Sequence, residues 1–459
     1  MKGGVLASFP NQIKYIIGNE ACERFSYYGM RSILVIFMVQ YLAMPTHEAK
    51  GVYHLFISAN YFLPLLGGYL SDRYLGKYRT IIYLSLVYCL GHAVLAIWES
   101  KTGMYAGLAL IALGAGGIKP CVSAHVGDQF TQSTSGLINK VYEIFYFSIN
   151  FGSFFSTLLI PWVLPRFGPS VAFGIPGILM FIATIVFWAG KRQYVIVPPT
   201  GKEGGAKFWG VLGYSMMNQG ERRQGESFLD VARGKYGNER VEGAKSALDI
   251  FKVLISVSAF WALYEQHGST WVLQARQMDL NFLGWRLEAA QIPALNPIMV
   301  MLLIPVFSLG LYPWVQRMGV QVTPLRKMGV GMVLTAISFI IAGLVQAMLD
   351  RGMQVSVGWQ FIQYFVITAA EVMVSITGLE FAYTQAPRAM KSTIMSLWLL
   401  TVTAGNLVTA VISYLNRFSG AAEYYFYAML MVLVSGIFIL VAMRYRTRSY
   451  IGAGEPVPA

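Results

Sequence analysis

Apolar and polar positions are segregated along this chain into long blocks. Greasy stretches recur from one end to the other, each closed by a short polar connection. A helix of about 20 apolar residues crosses a bilayer core, and the blocks predict twelve such spans. They lie at roughly 12–43, 50–74, 79–98, 103–126, 138–163, 170–190, 248–276, 290–317, 324–349, 356–384, 389–415 and 421–446. The most polar interval, 191–247, falls between the sixth and the seventh. The expected fold is an all-α membrane protein made of two six-helix bundles. The first occupies 1–190, the linker 191–247, and the second bundle with a short tail 248–459.

Composition narrows the class. Of 459 residues, 56% are hydrophobic and only 12% charged, where a soluble domain carries about 25% charged residues. Cys22, Cys89 and Cys121 all sit in apolar stretches and read as small core residues, with no CxxC metal pattern. The first apolar segment is long, charged inside and without an A-x-A site, so it reads as a permanent span and not as a cleaved leader.

The net charge of +13 is a topology signal. Arg73, Lys77 and Arg79 follow span 2, Arg317, Arg326 and Lys327 follow span 8, and Arg388 and Lys391 follow span 10. Arg444, Arg446 and Arg448 close the chain. The opposite connections of the first half are poor, with Lys50 between spans 1 and 2, Lys101 between 3 and 4 and Arg166 between 5 and 6. The positive-inside rule then places both termini in the cytoplasm, and no nucleic-acid partner is needed to explain the basic excess. The linker is also cytoplasmic. It is expected to act as a tether, with a membrane-surface helix over 227–248 as the other reading.

Charges inside the spans carry the chemistry. Glu20, Glu23, Arg24 and Arg31 lie within span 1, with Glu20, Arg24, Tyr27 and Arg31 on one helical face. Each charge at a helix centre costs about 2.5–3.5 kcal/mol on insertion scales. That face must therefore meet water, partner charges or a polar substrate. An i,i+4 pairing of Glu20 with Arg24 would lessen the cost but leaves Arg31 unexplained. Lys119, in LGAGGIKPCVSAH, needs an anion, and Glu20 and Glu23 are the candidates. Glu143, Tyr146 and Asn150 share a face of span 5, where Asn150 is either helix glue or a ligand. Trp261 and Glu265 sit at i,i+4 in span 7, Asn296 precedes a proline in span 8, and Glu371 and Ser375 share a face of span 10. Glu380 points the other way and reads as a structural pair. Trp398 is either pocket wall or core.

These residues form a dipole. Arg24, Arg31 and Lys119 would receive a carboxylate, and Glu371 with Asn150 and Asn296 an ammonium group. Trp261, Trp398, Tyr27, Tyr28 and Tyr61 would supply apolar walls. A short zwitterion fits such a pocket.

Glu20-Ala21-Cys22-Glu23-Arg24-Phe25, followed by Tyr27-Tyr28-Gly29, resembles the E-x-x-E-R-F signature of the proton-coupled oligopeptide transporters. These belong to the major facilitator superfamily. Gly67 to Ile81, Phe145 to Gly152, Gly116 to Pro120 and Gly378 to Phe381 also resemble motifs of that family. Lys77 and Tyr78 replace the Arg and Lys of the superfamily pattern after span 2, where Asp72 would latch the halves. The resemblance implies a twelve-span bacterial-type member in the inner cell membrane. It would act as a monomer among lipids, with no cofactor beyond co-transported protons, and carry di- and tripeptides.

By the same resemblance, Arg24 and Lys119 would meet the peptide carboxylate, while Asn150, Asn296 and Glu371 hold the amino terminus. Glu20, Glu23, Lys119 and Glu265 would relay protons, and Arg31 with Glu265 would form part of the outer gate. His54 matches a histidine of animal members, and reads as a proton carrier or as a packing residue. Tyr264 stands where some bacterial members have a second glutamate. Two extra helices of many bacterial members are not expected in the polar linker. Alternatives are a related symporter of nitrate or another small anion, an intramembrane enzyme, or a non-transporting peptide sensor. His47-Glu48 lacks the second histidine of a zinc-protease motif, and no G-x-S-x-G appears.

Overall fold

A computed structural model describes residues 9–130, 137–199, 206–222, 225–386, 391–445, 448–449 and 457–458. Arg388 and Arg446 lie outside the described residues, as do the side chains of Glu143, Lys391 and Arg448. The chain is all-α apart from short two-residue strand pairs.

The helices follow the apolar blocks. Span 1 is Ile13–Ile36 and span 2 is Thr46–Leu70, each ending in a π turn. Lys77–Ile97 and Lys101–Asp128 are spans 3 and 4. Spans 5 and 6 form one run, Ile138–Ala189, broken at Gly168, whose φ of 79° suits a residue without Cβ. Span 7 is bent by 43° between Asn238–Leu254 and Val257–Ala275. Span 8 runs from Ala289 to Arg317, and Pro324–Asp350 is span 9. Span 10 joins Gly358–Glu371 to Thr377–Gln385 through a π turn. Spans 11 and 12 are Lys391–Leu415 and Ala421–Arg444.

Eight described helices are long and apolar enough to cross a membrane, or nine with the bent span 7 counted as one. The run containing Gly168, counted once there, is long enough for two spans with the break between them. Spans 1 and 2 fall outside that set because polar residues interrupt them, the same residues that drew attention in the sequence.

The linker is more structured than a tether. Ala206–Met217 is a helix, and short turns at Asp230–Ala232 and Arg233–Tyr236 lead to Gly237. From Asn238 the chain is already in span 7, so that helix begins well before the hydrophobic block at 248. Its residues Val241, Ala244 and Ala247 are buried, and the helix packs on the linker helix Ala206–Met217 and on spans 10, 11 and 12.

Small residues bring the spans together. A Cβ on Gly67 of span 2 would fall onto the Gly117 backbone of span 4, the small-to-small approach by which helices pack in lipid. Between the halves, span 2 runs along span 11, and span 5 packs on the start of span 8.

Candidate functional site

Between the halves lies a cavity of ≈ 580 Å³, within the size range of small-molecule sites. Spans 1, 2, 5, 7, 8 and 10 line it, and two of them depart from regular helix at the cavity. Span 7 breaks after Tyr264 into the 3₁₀ turn Glu265–Gly268. Span 10 follows Glu371 with the π turn Val372–Ile376. Such breaks turn side chains and backbone groups toward a site.

Of the residues singled out in the sequence, Tyr28, Arg31, Tyr61, Asn150, Trp261, Glu265, Asn296, Glu371 and Ser375 line this cavity. At one end the Glu371 carboxylate accepts a hydrogen bond from Asn296 Nδ2 at 2.7 Å. Asn296 Nδ2 also donates to Thr368 Oγ1 at 3.2 Å, and its carbonyl accepts from the Tyr264 hydroxyl at 3.3 Å. Tyr264 thus occupies the helix-7 position as an orienting hydroxyl. Asn150 spends its Nδ2 on the Tyr146 carbonyl one turn back, at 2.9 Å, which leaves its side-chain oxygen for the cavity.

At the opposite end Arg31 donates to Glu265 across the halves and to the Tyr53 hydroxyl at 2.7 Å. Both Arg31 and Glu265 are buried. Tyr53 was not singled out in the sequence, although it adjoins His54 in GVYHLF. His267, another cavity-lining residue passed over in YEQHGS, turns its Nδ1 to the Tyr264 carbonyl at 2.7 Å. Gly268 makes room for this cluster, since a Cβ there would strike the Tyr53 hydroxyl.

Arg24, Tyr27, Lys119, Trp398, Glu20, Glu23 and His54 are not among the residues that line this cavity. Glu20 and Arg24 pair at 2.6 Å, one helical turn apart. Glu23 lies 3.2 Å from Arg24 without forming a hydrogen bond to it. The expectation that Glu20 or Glu23 pairs with Lys119 is corrected. Among the described residues Lys119 has no carboxylate in ion-pair range, because Arg24 is the neighbour of both. Its ammonium instead lies over the rings of Tyr27 and Tyr61, at 4.6 and 4.9 Å from their centroids, a cation–π seat. Trp398 packs edge-on against Trp261 at 6.1 Å and so backs the wall.

His54 is fully buried between the halves. Its Nδ1 lies 2.8 Å from Asn406 Oδ1 in span 11, and its Nε2 2.8 Å from Ser269 Oγ in span 7. The Asn406 amide already donates to Val402, so its oxygen accepts from Nδ1–H. The Ser269 hydroxyl can give or take a proton by rotating.

The profile described as PTR2, POT family, matches residues 78–424. The chain belongs to the POT family. It is similar to human solute carrier family 15 member 2, with 36% identity over 396 residues, covering 82% of this chain and 54% of the relative. It thus spans about half the length of the curated relatives it matches first. It is also similar to the in meso crystal structure of the POT family transporter PepTSo, with a TM-score of 0.90 and 42% identity over 96% of this chain and 99% of that one. The crystal structure of an auto-inhibited POT family peptide transporter matches with a TM-score of 0.90 and 39% identity, covering 97% and 99%. The POT-family chain is therefore a multi-pass membrane protein of a transporter family with the major facilitator type of fold.

In this POT-family chain the ion pairs that join the halves gather at one end of the cavity. Lys50 meets Glu423, and Arg166 reaches Glu288 at 3.5 Å. Together with Arg31–Glu265 they are the pairs between halves among the described residues. These pairs lie at or beside the connections that the charge pattern of the sequence predicts to be on the outer side. Glu380, expected in a structural pair, is exposed and has no ion pair among the described residues. Lys77 pairs with Asp128 of span 4 at 2.6 Å, a contact within one half.

Proposed function

We propose that the chain is a proton-coupled symporter of di- and tripeptides, working by alternating access in the inner cell membrane. The observation that carries this is the polarity of the cavity. A carboxylate oriented by Asn296 stands in the C-terminal half, and a cluster of arginine and lysine stands in and behind the wall of the N-terminal half. A peptide presents an ammonium and a carboxylate a short, variable distance apart, and aromatic walls accept its side chains. Glu371 with Asn150 and Asn296 receives the amino end. The carboxylate is received by Lys119, which needs only to leave two tyrosine faces, and by Arg24 once Glu20 or Glu23 is neutralised.

Protons act on the same groups. Protonation of Glu265 removes the charge that Arg31 holds, and the outer closure weakens. His54 can take a proton at Nε2 while keeping both partners, because Ser269 turns from donor to acceptor. A proton arriving from outside therefore favours opening toward the side it came from. Loss of the proton inside restores Arg31–Glu265. Each charge moved gains about 2.3 kcal/mol per 100 mV of membrane potential. The cycle needs no cofactor beyond the protons and one chain suffices, with lipid as its surroundings.

Uptake of labelled dialanine into vesicles holding the purified chain tests the reading. Accumulation above the outside concentration is expected when the outside is acidified. Failure to concentrate dialanine under an imposed pH and voltage gradient overturns it, and competition by nitrate at equal concentration would favour an anion symporter.

A further inference from the structure

Two grooves at the cytoplasmic ends of the halves play no part in this cycle. One, of ≈ 510 Å³, lies between the start of span 3 and the end of span 6, beside the segment 196–199. The other, of ≈ 720 Å³, lies among the end of span 8, the connection that follows it, the start of span 9 and the end of span 12. Spans 3 and 6 are the third and last helices of their half, and spans 9 and 12 hold the same places in the other. Corresponding spans of the two halves thus contribute to the two grooves, with different residues.

Each groove holds two cations, Arg79 with Lys191 and Arg326 with Lys327. None of the four is in an ion pair among the described residues. Arg326 donates to the Gln321 carbonyl at 2.9 Å, and Lys327 lies 5.1 Å over the Tyr312 ring. Below the cations the walls are apolar and open to the outside of the bundle. Tyr83 and Trp188 are 53% and 60% exposed in the first groove, and Val330 is 52% exposed in the second. Paired cations at the cytoplasmic interface above a greasy trough complement a negative headgroup with acyl chains beneath it. An inorganic anion would leave the trough without purpose.

We propose that the two grooves are paired binding sites for anionic diacyl phospholipid of the cytoplasmic leaflet, one in each half. The inference depends on the membrane topology and not on the identity of the transported substrate.

Native mass spectrometry of the purified full chain, titrated with phosphatidylglycerol or phosphatidylcholine, tests it. Wild type should retain two phosphatidylglycerol molecules at concentrations where phosphatidylcholine is lost. Arg79→Gln/Lys191→Gln and Arg326→Gln/Lys327→Gln should each remove one, and the charge-keeping Arg79→Lys/Lys191→Arg should remove none. Thermal melting in neutral lipid checks that each variant is folded, and the charge-keeping variant separates charge from packing. Equal retention of the two lipids, or full retention by both glutamine variants, overturns the proposal. So does displacement by glycerol phosphate at the concentration at which phosphatidylglycerol competes, which would leave a headgroup site without acyl chains. Dialanine uptake measured in parallel separates this outcome from failure of the transport reading.

Discussion

At the scale of single residues, the charges in the spans are switch elements more than stabilisers. Removing one partner of a buried pair strands the other, at a cost of about 3–5 kcal/mol. Arg31→Met is therefore expected to weaken the outer closure strongly, and Arg31→Met/Glu265→Gln to recover part of it. Thermal melting, with labelling of cysteines introduced on the outer side of the cavity, reads both effects. Glu371→Gln keeps the shape and the hydrogen bond from Asn296 but loses the charge. A charged hydrogen bond contributes about 1.5–3 kcal/mol, so competition by dialanine should weaken by about tenfold to a hundredfold. Competition by an amino-blocked dipeptide should change little, and equal losses would remove Glu371 from the ammonium site. His54→Gln leaves polar atoms for Asn406 and Ser269 but cannot carry a proton. Its uptake should rise less steeply than wild type as the outside is acidified. An unchanged pH profile would leave His54 as a packing residue.

At the scale of elements, the fit of helix against helix decides what the residues can do. Gly67 abuts the Gly117 backbone, whereas a Cβ on Gly68 meets nothing within 4 Å. Backbone cannot swing aside as a side chain can, and overpacking costs about 1–3 kcal/mol. Gly67→Ala should lower the melting temperature in detergent, and Gly68→Ala should not. The motif after span 2 thus has one glycine whose reason is packing and one whose reason is not visible in contacts. Much at this scale was legible beforehand: the twelve apolar blocks, and the placement of Glu371, Asn296 and Glu265 on faces that line the cavity. The partner of Lys119 was not legible. Helical periodicity assigns a face but not the direction of a long side chain. Two tyrosines from spans 1 and 2 reached the ammonium where no carboxylate did. The breaks in spans 7 and 10 were equally silent, because a π turn or a 3₁₀ turn leaves the hydrophobic pattern intact.

At the scale of the whole molecule, two bundles meet through ion pairs and the span 2–span 11 contact, and the described part of the linker packs on the start of span 7. In that linker Asp230 accepts hydrogen bonds from Lys245 and Arg233. The bonds from Lys245 and then Arg233 hold its carboxyl well below its ordinary value of 3.8. A depressed carboxylate contributes stability that is present above its ordinary pKa and is lost only as pH falls through the lowered one. Acidification from pH 7 to 5 is therefore expected to drive transport while leaving the linker clasp intact. Limited proteolysis at 225–245 should proceed equally at both values, and faster cutting at pH 5 would show that the clasp opens.

Hydrophobicity by itself determined that this chain is an all-α membrane protein built from a series of apolar helices. Charge by itself set span 1 apart as the helix whose polar face needs partners, because desolvation penalties act on residues one at a time wherever the chain goes. Which charge meets which was decided only by the tertiary structure. Arg31 closes on Glu265, His54 bridges spans 7 and 11, and Lys119 rests on aromatic faces. Those choices depend on atoms brought within a few ångströms of each other from distant parts of the chain, and distance in sequence does not encode them.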